Sequence, residues 1–325
     1  MTEAGTSAAT AHPARLLEGA PVARVIRAGV ARDVQAFVAR HGFVPTLAIV
    51  VCGPDAPSMV YLRQILNGCE KVGIGGRLVE VPYDPKAAAL SAQHLIGAIR
   101  QLNAEREVAG IIVQMPLPVG VSLRTVIETI HPAKDIDGIH PLNNGLVRLG
   151  YEGFVPATAH AVIEIIRASG IEIDGREAVI IGRSPVVGLP AATLMVKENA
   201  TVTVCHSRTR DLPGHVQRAD IVVVAAGRPG LVTGAMLKPG AVVVDVGINV
   251  VDDRIVGDVD FDSAVEVAAA ITPVPGGLGP LTNALLLQHL IEAAERQAGA
   301  GTEAGPGEGS VATSHATSAL PAPAP

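Results

Sequence analysis

Residues 179–190, VIIGRSPVVGLP, decide the fold. The apolar run 179–181 is typical of a buried strand, and it leads into a turn bounded by Gly182 and Gly188, where a helix begins. This order of elements brings unpaired backbone N–H groups to a place where phosphate oxygens can bind. The spacing departs from strict GxGxxG, so an ordinary tight turn between strand and helix is the competing interpretation.

Short β-branched runs and helical stretches alternate on both sides of this turn. The pattern predicts strands at 46–52, 77–81, 110–114, 177–181, 201–205, 221–225 and 242–246. It predicts helices at 16–40, 57–72, 86–103, 123–130, 159–169, 188–198 and 284–298. Apolar strands separated by helices indicate parallel sheets covered on both faces. The predicted fold class is therefore α/β with two lobes, the second a doubly wound parallel sheet.

Composition marks where the lobes and tails begin. Residues 134–153 interrupt the alternation with Asp, Gly, Pro and Asn, so we place the region between the lobes there. Residues 1–14 and 299–325 are rich in Ala, Gly, Ser, Thr and Pro without apolar periodicity. Such composition predicts disordered tails.

Charge and cysteine content exclude several classes of protein. The 325 residues carry 25 Lys and Arg against 31 Asp and Glu, a net charge of −6, which gives no field that favours nucleic acid or an anionic membrane. No run of 18 apolar residues predicts a membrane span. The three cysteines are far apart with no CxxC, and no histidines form an HxH or HxxxH pair. We expect a cytoplasmic protein without a metal site.

The end of the strand at 201–205 indicates which nucleotide binds. An NAD site has an acidic residue about 20 residues after the glycine turn, where it binds the ribose 2′-hydroxyl. This chain has CHSRT at 205–209 instead. Ser207 and Arg208, together with Arg183, favour a 2′-phosphate, because guanidinium groups pair with phosphate whereas a carboxylate repels it. The pattern predicts NADP, unless both arginines are ordinary solvated charges.

Four further strings accompany the glycine turn in unbroken order. They are GIIVQMPLP at 110–118, KDIDGIHP at 134–141, DVGIN at 245–249 and TPVPGGLGPLT at 272–282. Over residues 16–297 the chain resembles the bifunctional methylenetetrahydrofolate dehydrogenase/cyclohydrolase family. The resemblance implies a folate-binding catalytic domain of residues 15–150 plus 272–298, a Rossmann NADP-binding domain of residues 151–271, tetrahydrofolate derivatives as substrates, and a homodimer.

The resemblance also implies roles for particular residues. Asp137 would accept hydrogen bonds from the amino and ring N–H groups of a pterin, although an Asp in such a turn is often structural, as Asp135 could be. The implied catalytic residues are Tyr61, Gln114 and Asp137. The implied substrate contacts are Ser58, Tyr61, Gln114, Met115, Pro116, Asp137, Pro275 and Gly276. The implied cofactor contacts are Gly182, Arg183, Ser184, Gly188, Ser207, Arg208, Gly227, Gly247, Ile248 and Thr282.

One departure from the family pattern concerns the chemistry directly. The family has a lysine four residues after the tyrosine, on the same helix face, but here that position is Ile65. Hydrolysis of the methenyl product needs a base, and isoleucine cannot be one. Ala20 and Ala157 are further departures. We therefore expect an NADP-dependent dehydrogenase whose cyclohydrolase step is weak or lost. Two alternatives stay open: a fully bifunctional enzyme that uses Gln114 and a water, and an inactive paralogue that binds folate or nucleotide.

Overall fold

The computed structural model describes residues 14–53 and 56–302, without the side chains of residues 56–58, 60, 61 and 300–302. Its strands are β1 (Arg15–Leu16), β2 (Thr46–Cys52), β3 (Gly75–Val81), β4 (Val108–Val113), β5 (Glu177–Ile181), β6 (Thr201–Cys205), β7 (Ile221–Val224), β8 (Val242–Asp245), β9 (Asn249–Val251), β10 (Arg254–Val256) and β11 (Ala270–Ile271). Its helices are α1 (Gly19–His41), α2 (Ala56–Val72), α3 (Ala88–Ala104), α4 (Leu123–Thr129), α5 (Pro141–Arg148), α6 (Ala157–Ala168), α7 (Gly188–Lys197), α8 (Leu212–Val216), α9 (Phe261–Val265) and α10 (Leu278–Thr302). Short 3-10 helices span Pro85–Ala87, Pro132–Lys134 and Gly234–Met236.

The first lobe contains a three-stranded parallel sheet in the order β3-β2-β4. Alternate residues of the central strand β2 enter two different apolar clusters. Ile49 packs in the cluster beside α1, α2 and α10, and Val50 packs in the cluster beside α3 and α4. Because successive strand residues point to opposite faces, both faces of this sheet are covered, as the continuous apolar run predicts.

The second lobe contains a six-stranded parallel sheet in the order β1-β11-β8-β7-β5-β6. Ile180 of β5 packs in one apolar cluster and Ile181 in another, so this sheet is also buried on both faces. The predicted α/β class and doubly wound lobe are confirmed. Strands β1 and β11 were not predicted, since two residues are too few to show a period.

Helices α1 and α10 connect the two lobes. Leu281 and Leu285 of α10 pack in a cluster beside the six-stranded sheet, whereas Leu287 and Leu290, further along the helix, pack beside the three-stranded sheet. Ile26 of α1 contacts both clusters. Two helices shared between the cores fix the lobes to each other and so define the space between their strand ends.

The structure also differs from the sequence predictions elsewhere. Leu16, predicted to begin a helix, lies in β1, and α10 begins at Leu278 rather than at residue 284. The short elements α8, α9, β9 and β10 were not predicted.

Helix α5 lies inside the predicted interruption at 134–153; its first residue is Pro141, and His140 Nδ1 accepts a hydrogen bond from the Leu142 N–H at 3.0 Å. Helix α10 continues to Thr302, so residues 299–302 of the predicted tail are helical, because extending a packed helix costs little.

Ala14, the last residue of the other predicted tail, is buried, and its N–H donates to the Val265 carbonyl at 3.0 Å. The rest of both predicted tails lies outside the described residues. The division into residues 15–150 plus 272–298 and residues 151–271 stays a prediction. Within residues 14–53 and 56–302, no helix combines the length and apolar character needed to cross a bilayer.

Candidate functional site

Gln114 lies at the carboxyl end of the three-stranded sheet. It follows β4 directly, and its backbone N–H donates to the Val50 carbonyl at 2.8 Å, which continues the sheet pairing by one residue. Its side chain is half-buried and donates to the Met115 carbonyl. Met115 and Pro116 come next, joined by a cis peptide bond. The end of this strand therefore presents an amide beside apolar side chains.

Asp135 holds the turn that carries Asp137. It is fully buried, and its carboxylate accepts hydrogen bonds from the Ile139 N–H at 3.1 Å, the His140 N–H at 2.8 Å and Asn143 Nδ2 at 2.8 Å. Burial raises the pKa of Asp135 to about 6 in spite of these donors. Asp135 therefore has the structural role that its position in a turn suggests.

Asp137 keeps part of its surface exposed, and its environment disfavours the charged form. Burial, and then the charge of Asp135, raises the pKa of Asp137 to about 7. A carboxyl group with this pKa gains from a ligand that donates hydrogen bonds to it, since those bonds stabilise the carboxylate. The geometry thus allows Asp137 to recognise a ring with adjacent N–H donors.

Gly138 lets this turn pack against the segment before α6. Its φ is +65°, and a side chain there would collide with the backbone of Phe154, Val155 and Pro156 at about 2.5 to 2.6 Å. Close packing of this kind fixes the Asp137 turn relative to the first helix of the second lobe.

Lys134 is a structural residue rather than a candidate base. Its Nζ is buried and donates to the carbonyls of Leu102 at 3.0 Å and Glu105 at 2.7 Å, at the end of α3. Burial lowers the pKa of Lys134. These bonds tie the 3-10 helix Pro132–Lys134 to the end of α3.

Helix α2 carries the other predicted residues of the substrate end. The backbones of Ser58 and Tyr61 are part of α2, but their side chains are not among the parts of the chain that the structure describes. Ile65 is 2% exposed and belongs to the apolar cluster that also contains Ile136 and Ala157. An apolar side chain in a dry environment therefore fills the position at which the sequence resemblance implies a lysine.

The loop that carries Pro275 and Gly276 joins β11 to α10. The Gly276 carbonyl accepts from the Gly19 N–H at 3.1 Å, which ties the loop to the start of α1. Thr272 Oγ1, at the start of the loop, accepts from the Asp245 N–H at 2.8 Å. Pro275 and Gly276 are exposed, so both are accessible to a ligand.

The glycine turn lies at the carboxyl end of β5. Gly182 has a φ of +126°, and a Cβ on it would meet the Ala225 carbonyl oxygen; a Cβ on Gly188 would meet the Gly182 carbonyl oxygen. Ser184 Oγ accepts from the N–H groups of Val187 at 3.1 Å and Gly188 at 3.3 Å. The backbone is thus shaped into a cradle at a helix start, which fits a dinucleotide phosphate.

Arg183, Ser207 and Arg208 lie at the same sheet edge. Strands β5 and β6 pair with Ile181 opposite Cys205, so the residues that follow both strands emerge side by side. All three residues are exposed, and neither arginine takes part in an ion pair within the described part of the chain. Two guanidinium groups here can bind a phosphate.

Two buried aspartates that the sequence analysis did not select hold Gly227 and Gly247. The Asp258 carboxylate accepts from the N–H groups of Ala226 at 2.6 Å, Gly227 at 2.8 Å and Arg228 at 2.8 Å. The Asp245 carboxylate accepts from the Gly247 N–H at 2.9 Å and from the Asp258 N–H at 3.0 Å.

Burial raises the pKa of Asp245 to about 6. The sequence feature that could have identified Asp245 is its position at the end of an apolar strand. Of the remaining predicted cofactor contacts, Ile248 is exposed after β8 and Thr282 is half-buried in the second turn of α10. Among the residues that the structure describes, no group of three His, Cys, Asp or Glu side chains could hold a metal ion.

Comparison with known proteins matches both halves of the chain. Residues 17–137 match the tetrahydrofolate dehydrogenase/cyclohydrolase catalytic domain, and residues 156–298 match the NAD(P)-binding domain of the same family. A bifunctional protein FolD from Bordetella petrii is 47% identical over 300 residues, covering 92% of this chain and 100% of that protein. Another from Roseiflexus sp. (strain RS-1) is 46% identical and covers 87% and 96% of the two chains.

Solved structures give the same result. The Trypanosoma brucei methylenetetrahydrofolate dehydrogenase-cyclohydrolase, complexed with NADP cofactor and inhibitor, superposes with a TM-score of 0.83 at 38% identity, covering 88% of this chain and 99% of that chain. The Campylobacter jejuni bifunctional enzyme FolD superposes with a TM-score of 0.82 at 37% identity, covering 86% and 98%.

Proposed function

The chain belongs to the tetrahydrofolate dehydrogenase/cyclohydrolase family, and from this premise we propose that it oxidises 5,10-methylenetetrahydrofolate to 5,10-methenyltetrahydrofolate with NADP, while its cyclohydrolase step is weak or lost. The observation that carries the second half of the proposal is Ile65, which is 2% exposed in an apolar cluster.

The dehydrogenase reaction depends more on positioning the substrate against the cofactor than on acid–base catalysis. When bound, NADP supplies the hydride acceptor, and the methenyl cation that forms is stabilised by its own nitrogens. Gln114 follows β4 at the carboxyl end of the first sheet, and Asp137 follows Ile136, whose side chain packs at Gly110 of the same strand. In this proposal both side chains hold the pterin. Met115, Pro116, Pro275 and Gly276 would then enclose the ring.

Cofactor preference rests on the exposed groups at the edge of the second sheet. Ser207, Arg183 and Arg208 offer a hydroxyl and two guanidinium groups to a 2′-phosphate, and no carboxylate follows β6 until Asp211. The glycine cradle of residues 182–188 fits the pyrophosphate. Both features support NADP.

The cyclohydrolase half needs a base to take a proton from the attacking water. A positioned base contributes about 10²–10⁴-fold, and a buried isoleucine contributes none of this. The bifunctional alternative is that Gln114 orients a water without a lysine. The family relationship fits both versions, and a binding-only paralogue is the third candidate.

One assay separates the three. Purified protein is given 5,10-methylenetetrahydrofolate with NADP or NAD, and NADPH and the methenyl product are followed together. We expect NADPH to form and methenyltetrahydrofolate to accumulate. Conversion to 10-formyltetrahydrofolate that keeps pace with NADPH would support the bifunctional alternative, and no NADPH would support the binding-only paralogue.

Two further parts of the proposal concern assembly and location. We propose a cytoplasmic homodimer. The hairpin of β9 and β10 supports the dimer, since Val250 and Ile255 are 74% and 49% exposed and Ile248 beside it is 72% exposed. Light scattering on the full chain and on a Val250→Lys variant would measure the mass; we expect a dimer for the first and a monomer for the second.

A further inference from the structure

Two histidines from different lobes contact each other, and one of them contacts the backbone next to Asp137. His289 is buried in α10, and His160 is half-buried in the first turns of α6. His160 Nδ1 and His289 Nε2 are 3.1 Å apart, and the two rings are nearly coplanar, with 9° between their planes and 5.3 Å between their centroids. The rings therefore lie edge to edge, in the geometry of an N–H···N hydrogen bond.

The other side of His289 fixes which nitrogens carry protons. His289 Nδ1 lies 2.9 Å from the Ile136 carbonyl oxygen, which can only accept, so Nδ1 is the donor. In a neutral ring Nε2 is then an acceptor, and His160 Nδ1 must donate to it. Burial, and then the neighbouring His160, lowers the pKa of His289 to about 4, so the ring is neutral at pH 7. The two hydrogen bonds therefore have the same direction: His160 in α6 donates to His289 in α10, and His289 donates to the Ile136 carbonyl.

Charged groups surround the outer end of this chain of bonds. His160 Nε2 lies 3.7 Å from Glu164 Oε1, and Arg167 pairs with Glu164 at 3.2 Å and with Glu198. Arg296 of α10 lies over the Phe154 ring, and Asp135 and Asp137 lie on the turn. His160 therefore contacts Glu164 through Nε2 and His289 through Nδ1, so the two contacts use different nitrogens of the ring.

The carbonyl that His289 holds belongs to the peptide bond between Ile136 and Asp137. This peptide plane contains the Cα of Asp137. Fixing the plane therefore fixes the Cα from which the Asp137 side chain extends. Gly138, the next residue, packs against the backbone before α6. The turn is therefore held to the second lobe at two points, one by close packing and one by hydrogen bonds.

We propose that His289 and His160 are a positioning pair that orients Asp137 towards the pterin of the folate substrate and couples this orientation to the first helix of the cofactor lobe. The inference rests on the proposed folate site but not on turnover. Neither histidine touches the substrate; each acts through the Ile136–Asp137 peptide.

The variants separate the two hydrogen bonds of His289. His289→Leu removes both. His289→Asn places an amide where Nδ1 was and so keeps the donor to Ile136. His160→Phe removes only the outer bond. Gln297→Leu is the matched control, since Gln297 is on the same helix and its Nε2 also donates to backbone carbonyls, of Ala109 at 2.9 Å and Ala133 at 3.0 Å.

The readouts are the Kd for tetrahydrofolate by calorimetry, KM for methylenetetrahydrofolate and for NADP, and the melting temperature. We expect His289→Leu to raise the folate Kd and KM about tenfold, the size of one lost hydrogen bond, with the KM for NADP unchanged. His289→Asn should recover most of this loss. His160→Phe should raise the folate Kd about two- to threefold in the wild type and not at all in the His289→Leu background.

The outcomes that overturn the proposal are distinct from those that overturn the function. If the wild type binds tetrahydrofolate without forming NADPH, the dehydrogenase proposal fails, but the Kd series still tests the pair. If His289→Leu and Gln297→Leu lower the melting temperature alike and neither changes the folate Kd, the pair is only structural. If His289→Leu does not fold, equal folate Kd values for His289→Asn, His160→Phe and the wild type overturn coupling through His160. A wild type that does not bind tetrahydrofolate overturns both.

Discussion

At the nucleotide end, Gly182 and Gly188 shape the turn because they have no side chains, and the candidate contacts Arg183, Ser207 and Arg208 are exposed. At the substrate end, the turn around Asp137 is held by buried ionisable groups, among them Asp135 and His289, which come from distant segments. The glycine turn of the nucleotide end is made by local backbone geometry, whereas the Asp137 turn of the substrate end is held by a network of side chains. Substitutions should therefore act locally at the nucleotide end and cooperatively at the substrate end.

The largest effect is expected from Ile65→Lys, which adds a titratable group to the substrate end. Burial among apolar side chains and a cationic methenyl group nearby both lower the pKa of a lysine there, so it can act as a base near pH 7. We predict a gain of about 10²–10⁴-fold in hydrolysis of methenyltetrahydrofolate.

The gain is measured as loss of the methenyl absorbance, with Ile65→Met as a control of similar volume. A variant that binds tetrahydrofolate normally yet hydrolyses no faster would indicate that Ala20 and Ala157 are the important departures.

Gly182→Ala is expected to have the next largest effect, at the nucleotide end. The added Cβ meets the Ala225 carbonyl oxygen, and the backbone there cannot move without disturbing β7. We predict a loss of about 3 kcal/mol or more in the free energy of unfolding, together with loss of NADP binding. Urea denaturation and calorimetry measure these.

Gly170→Ala is the control for this substitution. It has a φ of +67° but no atom within 4 Å of a Cβ, so it should cost about 1 kcal/mol and leave NADP binding intact. Equal losses in the free energy of unfolding for Gly182→Ala and Gly170→Ala would show that backbone strain, and not the contact with Ala225, causes the destabilisation.

Asp137→Asn tests whether the raised pKa controls folate recognition. The carboxylate forms as the pH rises through about 7, so folate affinity of the wild type should increase between pH 6 and pH 8. The Asn variant should bind about 10- to 100-fold more weakly at pH 8, with no such dependence on pH.

Stability should change in the opposite direction. The pKa of Asp137 is raised in the folded state, so its stabilising contribution is complete below about pH 4 and is lost as the pH rises through 7. Asp137→Asn should therefore gain stability relative to the wild type between pH 5 and pH 8. Urea denaturation at pH 5 and pH 8 measures this. A difference in the free energy of unfolding between variant and wild type that is the same at both pH values would contradict the raised pKa of Asp137.

The smallest effect is expected from Arg208→Ala and Arg183→Ala, because both side chains are exposed. Each should reduce kcat/KM with NADP by about fivefold and change the value with NAD little, since an exposed charge contributes about 1 kcal/mol. Arg210→Ala, on the same loop, is the control. An equal loss with both cofactors would show that the arginines do not bind the 2′-phosphate.

The sequence alone predicted the fold class and the glycine turn of residues 182–188 that follows β5. Residues 46–52, 177–181 and 201–205 were predicted as strands with the bounds that the structure has. Strand periodicity, glycine turns and motif strings are local, so neighbouring residues carry all the information that they need. The expectation at Ile65 is local in the same way, because it rests on a spacing of four residues from Tyr61 along one helix.

Only the tertiary structure decided how the substrate end is held. His160 and His289 are 129 residues apart in sequence, and no spacing rule predicts that their rings share a hydrogen bond. Asp258 reaches back to Gly227 in the same way, and β1 pairs with β11 across almost the whole chain. Such contacts depend on which surfaces the two cores bring together, and packing over long distances leaves no periodic trace in the sequence.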